Sequence, residues 1–306
     1  MTAPTTTWRF LAPRYWPTWA GLAALWCVAQ LPYRWQARLG RALGRIMAWA
    51  PSRRRRIAAV NLRLCFPELS ESQRDALLRE HFASLGMSLI ETAMAWWTPD
   101  ARLRLLTHLE GLQHLSDALR AGKGAILLCA HFTTLEIGSR LLLLAGARFH
   151  AMYRTHRNPL FESIMKRARE KHCEKAIASD DVRGLLQSLK ENVPVWYASD
   201  QNYGHKHSVF APFFGIPAAT NTAPVRLAKI SGAPIVPFFI ERLAHDQGYR
   251  LILLPALQNL PLDDPENAMM RIHQLIEQHV RNAPDQYLWV HRRFKDRPPG
   301  EADFYK

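Results

Sequence analysis

The chain has 306 residues, 48% hydrophobic and 22% charged, with 15 Gly, 20 Pro and 4 Cys. That balance excludes a disordered tail, a collagen-like repeat and a disulfide scaffold, and the length suffices for one large or two modest cores. Lys and Arg number 40 against 26 Asp and Glu, a formal charge of +14, and the position of that excess narrows the function classes further.

No Asp or Glu precedes Glu68, whereas eleven Arg do, and the remaining 29 basic and 26 acidic residues nearly balance. An excess packed into one end points to a local anionic surface, either lipid or polynucleotide, rather than to a basic binding fold. Cys27, Cys65, Cys129 and Cys173 form no C-x-x-C pair and have no His at zinc-ligand spacing. They read as reduced packing residues in a reducing compartment, and no metal is expected.

Between Arg14 and Arg34 lie 19 residues without formal charge, about 28 Å as a helix and close to the hydrocarbon thickness of a bilayer. Trp16, Trp19, Trp26, Tyr33 and Trp35 fit an aromatic belt, so residues 1–33 read as a transmembrane or membrane-anchor segment. A buried soluble helix and a cleaved signal peptide are the alternatives. The eight Arg from Arg34 to Arg56 resist translocation and keep the downstream domain cytoplasmic. Within residues 34–67, Arg34, Arg38, Arg41 and Arg45 recur at helical spacing opposite Trp35, Leu39, Leu43, Ile46 and Trp49, the pattern of a basic amphipathic helix against anionic lipid.

Residues 68–306 read as a single α/β domain. Helical periodicity runs through Ser72–Trp97, with Ser70 or Ser72 as cap. Apolar runs at Ala125–Ala130, Phe149–Tyr153, Val193–Ala198, Pro234–Ile240 and Tyr249–Leu254 then alternate with helical stretches at Leu135–Leu144, Leu160–His172, Arg183–Lys190, Ala223–Ile230 and Glu266–Val280. Alternation of this kind implies a mostly parallel sheet with helices on both faces. The ligand crevice of such sheets lies beyond the carboxyl ends of the strands, which singles out His131, Arg154, Asp200 and Gln201.

His131 and Glu136 place an imidazole at a strand end and a carboxylate five residues on. A neutral imidazole takes a proton at cellular pH, and a carboxylate behind it fixes the tautomer. Thr133 and Glu136 also match a capping box, in which the carboxylate only caps a helix. No G-x-S-x-G elbow is present, and Cys129 reads as buried in its strand, so attack by an external hydroxyl deprotonated by His131 fits better than covalent catalysis.

The segments HFTTLE (His131–Glu136), YRTHRNP (Tyr153–Pro159), WYASDQNYG (Trp196–Gly204), SVFAPFFG (Ser208–Gly215), SGAPIVPFF (Ser231–Phe239) and QYLWVHRRFKDRP (Gln286–Pro298) closely resemble the late acyltransferases of lipid A assembly. With APRYWPTW (Ala12–Trp19) and NLRLCFPELS (Asn61–Ser70), the resemblance runs through almost the whole chain and favours the lauroyltransferase branch of the glycerolipid acyltransferase-like superfamily. It implies an enzyme of the bacterial inner membrane, with its catalytic domain on the cytoplasmic face. The implied reaction moves a lauroyl or similar group from an acyl carrier protein thioester to a 3-hydroxyacyl hydroxyl of a Kdo-bearing lipid A precursor. Its partners are acyl carrier protein, the precursor and inner-membrane lipid, with no nucleic acid and no cofactor beyond the carrier's phosphopantetheine. The superfamily's His–x4–Asp/Glu motif falls on His131 as general base and Glu136 as its orienting partner. Arg154, Asn158, Asp200, Gln201, Arg292 and Arg293 are the candidate substrate-binding residues. Where many of the wider superfamily have Asn before the motif His, this chain has Ala130. The same chemistry on another glycolipid acceptor, a thioesterase, and a membrane-tethered nucleic-acid binder are the competing readings.

Overall fold

The computed structural model describes residues 7–153, 156–170, 175–178, 181–204 and 208–306. Four helices come first: α1 (Trp16–Gln30), α2 (Tyr33–Trp49), α3 (Arg53–Cys65) and α4 (Glu71–Trp97). α4 starts in a capping box: Gln73 N–H donates to the Ser70 hydroxyl and Ser70 N–H donates to the Gln73 side chain, at 3.2 and 2.7 Å. Two orphan amides of the first turn are thereby satisfied. α2 lies along α4 with backbones nearly touching. A Cβ on Gly44 would run into the Phe82 carbonyl, and one on Gly86 into the Gly40 carbonyl.

That contact hides the glycine face of α2 and turns its other side outward. Trp35, Leu39, Leu43, Ile46 and Trp49 are exposed, as are Trp8, Leu11, Trp16, Trp19 and Trp26 before them. α1 has 15 residues and packs partly on α4. Among the described residues no helix is long and apolar enough to cross a membrane, so the expected N-terminal span is not found.

The remaining elements are α5 (Asp100–Arg104), β1 (Thr107–Glu110), α6 (Leu112–Leu119), β2 (Ile126–Cys129), α7 (Leu135–Leu144), β3 (His150–Tyr153), α8 (Pro159–Glu170), β4 (Lys175–Ala178), α9 (Val182–Lys190), β5 (Val195–Ala198), β6 (Ser208–Phe213), β7 (Ile216–Asn221), α10 (Ala223–Ser231), β8 (Ile235–Arg242), β9 (Tyr249–Leu253) and α11 (Pro265–Asn282). Seven strands form one sheet in the order β1-β9-β8-β2-β5-β3-β4. Every pairing is parallel except the β8–β9 hairpin. The fully buried β2, Ile-Leu-Leu-Cys, is the continuous apolar run that a strand covered on both faces requires. Its side chains alternate between two cores: Ile126 and Leu128 belong to the one that includes α9 and α11, Leu127 and Cys129 to the one that includes α7 and α8. A two-stranded hairpin, β6–β7, packs on α11.

Candidate active site

β2 pairs with β5 so that Cys129 stands opposite Ala198. Both chains continue two residues past that pair, and this places His131 beside Asp200 at the carboxyl edge of the sheet. The Asp200 carboxylate accepts the His131 backbone N–H at 3.0 Å and lies 2.7 Å from Nδ1. The nearby Tyr287 hydroxyl also favours its charged form. Burial by itself pushes the Asp200 carboxyl up, but the His131 charge and these donors overcome that and hold it well below the usual carboxylate range. An ionised carboxylate only accepts, so Nδ1 carries the proton and Nε2 is left as the basic nitrogen. Asp200 is 1% exposed, against 25% for the His131 side chain.

The imidazole is therefore held by a carboxylate from the neighbouring strand and not by the one five residues on. Glu136 faces Arg169 and Trp96 instead: it accepts Trp96 Nε1 at 2.9 Å and a two-pronged pair from the Arg169 guanidinium at 3.0 and 2.5 Å. No capping box forms either. Thr134 caps α7 without a side-chain bond, and the Thr133 hydroxyl pairs with Ser84 at 2.8 Å.

A buried network fixes the turn between β2 and α7. Arg242 at the end of β8 makes a bidentate pair with Glu91 of α4, at 2.6 and 2.7 Å, and donates to Ser84 at 2.8 Å. Gln286 accepts the Arg242 backbone N–H through its side chain and the Thr133 N–H through its carbonyl. Leu288 N–H closes onto the His131 carbonyl at 2.9 Å, and Phe132 forms a β-bridge with Tyr287. Segment 286–288 thus clasps the turn on the side away from α7.

Between α7, α8 and the sheet lies a cavity of about 550 Å³, well within the range that holds a small ligand. His131, Glu136, Arg169, Gln201, Asn202 and Tyr203 give it polar groups, and Ala95, Leu135, Leu143, Phe149, Ala151 and Trp196 make its walls apolar. Of the sequence-derived candidates, His131, Glu136 and Gln201 line this cavity and Asp200 stands behind His131. Asn158 caps α8 through its side-chain oxygen and donates to Thr18 of α1. Arg292 stacks on Tyr305 and reaches Asp303 at 3.4 Å.

Arg293 is 3% exposed and bonded to the Ala219 carbonyl, the Thr220 hydroxyl and His273, an internal brace rather than a surface contact. Arg154 lies outside the described residues. Sequence reasoning missed Tyr287, Arg169, Trp96 and the Glu91–Arg242 pair, all of them distant in the chain from the groups they hold. Among the described residues no group of three or more His, Cys, Asp or Glu could hold a metal ion.

Comparison with known proteins adds the family. Residues 3–296 match the family described as bacterial lipid A biosynthesis acyltransferase. The lipid A biosynthesis palmitoleoyltransferase of Escherichia coli K12 is 41% identical over 297 residues, 97% of this chain and 96% of that one. The lauroyltransferase of the same organism is 40% identical, with 96% of each chain covered. Its myristoyltransferase is 31% identical, with 97% of this chain and 92% of the relative covered. A match that runs almost from end to end, on a chain whose imidazole, buried carboxylate and adjoining cavity stand at one sheet edge, leads to one conclusion: the chain belongs to the bacterial lipid A biosynthesis acyltransferases.

Proposed function

We propose that the chain transfers a fatty acyl group from the thioester of acyl carrier protein to a 3-hydroxyacyl hydroxyl of Kdo-lipid IVA. The observation that carries this reading is the His131–Asp200 contact at the edge of a cavity with both polar and apolar walls. An ionised, buried carboxylate on Nδ1 makes Nε2 the base and stabilises the imidazolium that forms. Nε2 takes the proton of the acceptor hydroxyl as its oxygen bonds to the thioester carbonyl carbon. The tetrahedral oxyanion then collapses, the C–S bond breaks, and the imidazolium returns the proton to the phosphopantetheine sulfur, leaving an ester and a thiol.

Glu136 enters as the group that holds the Arg169 guanidinium at the cavity wall, where a cation favours the oxyanion or a phosphate of the acceptor. Gln201 serves as a substrate contact. Arg53 to Arg56 suit an acidic carrier or an anionic headgroup, because Arg54 also reaches the Val290 carbonyl and so lies beside the segment that clasps the site.

The same reading puts the protein on the cytoplasmic face of the bacterial inner membrane. The exposed aromatic and aliphatic side chains of α1 and α2, together with the exposed stripe of Arg34, Arg38 and Arg45 on α2, support attachment in the plane of the headgroups.

The test is direct transfer: purified protein in detergent, carrier protein loaded with single acyl chains, and the tetra-acyl precursor with and without Kdo, products read by mass spectrometry. Wild type adds one acyl chain to the precursor and His131→Ala adds none. Release of free fatty acid with the precursor untouched would replace transfer by hydrolysis.

A further inference from the structure

Arg53, Arg54, Arg55 and Arg56 fill the first turn of α3, and Arg63 follows Arg56 on the same helical face. All five are exposed. No acidic residue precedes Glu68, and among the described residues none of the five forms an ion pair. Glu68 itself is taken by Arg281 at 2.8 Å, and Asp303, in the tail that reaches Asn61 of α3, is taken by Arg292 at 3.4 Å. Cations crowded at the positive end of a helix cost stability, so the cluster does not serve the fold.

The patch differs in kind from the basic stripe of α2. Arg34, Arg38 and Arg45 share their helix with exposed Trp35, Leu39, Leu43, Ile46 and Trp49, after which exposed large apolar side chains cease until Leu89. A bilayer takes up a face that is both apolar and basic. Charge without apolar neighbours suits the acidic surface of another protein. The patch also stands close to the site. Arg54 donates to the Val290 carbonyl at 3.2 Å, and Leu288 donates to the His131 carbonyl at 2.9 Å. Residues 288–290 span at most about 10 Å, which keeps the Arg54 guanidinium within about 16 Å of the His131 carbonyl. The adjoining His291 accepts the Asn202 N–H at 3.0 Å, and Asn202 lines the cavity.

We infer that the exposed arginines of α3 are the docking surface for the acidic carrier protein, and that its phosphopantetheine arm runs from there past Asn202 to His131. This deepens the proposed function and rests on it. Extended, the arm has about 15 bonds that each advance about 1.3 Å, or about 20 Å in all. A carrier seated on α3 therefore delivers its thioester to His131. With lipid on α1 and α2 and the carrier on α3, donor and acceptor reach one cavity without competing for a surface.

The experiment compares wild type with the double variant Arg56→Glu, Arg63→Glu; Arg54 is left intact because it also holds Val290. Fluorescence anisotropy of labelled holo-carrier measures docking, and transfer is measured from acyl-carrier and from S-acyl-pantetheine, which has no protein to dock. The double variant binds the carrier about tenfold more weakly, and its preference for carrier-borne over pantetheine-borne thioester falls by the same factor. Wild-type affinity declines as NaCl rises from about 50 to about 300 mM. Carrier affinity equal to wild type in the folded variant overturns the inference, and so does a loss confined to co-sedimentation with anionic vesicles, which would make the patch a lipid contact. If the double reversal does not fold, Arg56→Gln with Arg63→Gln repeats the comparison. If wild type moves no acyl chain to the precursor, the proposed function fails, while anisotropy still decides the docking surface: binding that the variant loses supports it, and absent or unchanged binding refutes it.

Discussion

Asp200→Asn tests the site most sharply, because the amide keeps the shape of the side chain and an acceptor for Nδ1 while removing the charge. In the proposed mechanism the His131 imidazolium sits against the carboxylate across a 2.7 Å contact. Two charges about 4 Å apart interact by about 4 kcal/mol at an effective dielectric of about 20. The His131 side chain keeps 25% of its exposure, so solvent screens part of this and roughly 2–4 kcal/mol remains. At about 1.4 kcal/mol per tenfold in rate, kcat falls about 30- to 1000-fold. KM stays nearly constant, since a carboxylate that is 1% exposed does not touch substrate. The assay is steady-state transfer at saturating donor, with the unfolding midpoint of the same preparation measured to confirm a folded variant. A folded Asp200→Asn enzyme with kcat near the wild-type value, or with its loss confined to KM, refutes the assignment of Asp200 as the group that orients His131.

Glu91→Gln leaves the Arg242 charge buried without its counter-charge and costs about 3–5 kcal/mol, read as a drop in unfolding midpoint of roughly 2–4 °C per kcal/mol; a midpoint within a degree of wild type contradicts the brace. Burial lowers His81, His279 and His291 to about 4, below the unfolded value of about 6.5. The unfolded chain therefore binds more protons between pH 6.5 and 4, and stability falls as pH is lowered through that window. His81 alone contributes about 3 kcal/mol of that loss, and a flat thermal-unfolding profile from pH 7 to pH 4 rules it out. Glu at Arg38 and Arg45 weakens co-sedimentation with anionic vesicles by about 1 kcal/mol per Arg removed, with neutral vesicles as the control; unchanged sedimentation removes α2 from the membrane contact.

The strands and helices that carry the site were readable because each is a clean apolar or amphipathic run. The expected Ala125–Ala130, Phe149–Tyr153 and Val193–Ala198 runs became β2, β3 and β5 within two residues at either end. The β6–β7 hairpin was not readable as one. Pro212 faces Pro217 across it, and proline inside a run argues against a strand. Its turn passes through Phe214 and Gly215, both at positive φ, where phenylalanine gives no turn signal.

His131 was legible as a strand-end imidazole, and Asp200 as a strand-end carboxylate, but their partnership was not. It depends on β5 lying beside β2, a choice of neighbour that a separation of 69 positions does not encode locally. A nearby Glu136 satisfied the spacing and drew the assignment. Arg169, the residue that engages Glu136, lies on another helix, so the true use of that carboxylate is a matter of tertiary packing. Arg293, a candidate substrate contact by resemblance, proves to be enclosed by three hydrogen-bond partners and the Phe213 ring, a burial that its place in a basic run does not signal.

The clasp formed by Gln286, Tyr287 and Leu288 also sets a timetable for synthesis. About half of the chain separates His131 from the residues that lock its turn, so the turn emerges from the ribosome long before its lock. N-terminal parts fold first during translation, and through that interval the His131 carbonyl lacks its Leu288 amide and the Thr133 amide lacks the Gln286 carbonyl. A chain that stops short of residue 286 therefore carries the His131 turn without its lock.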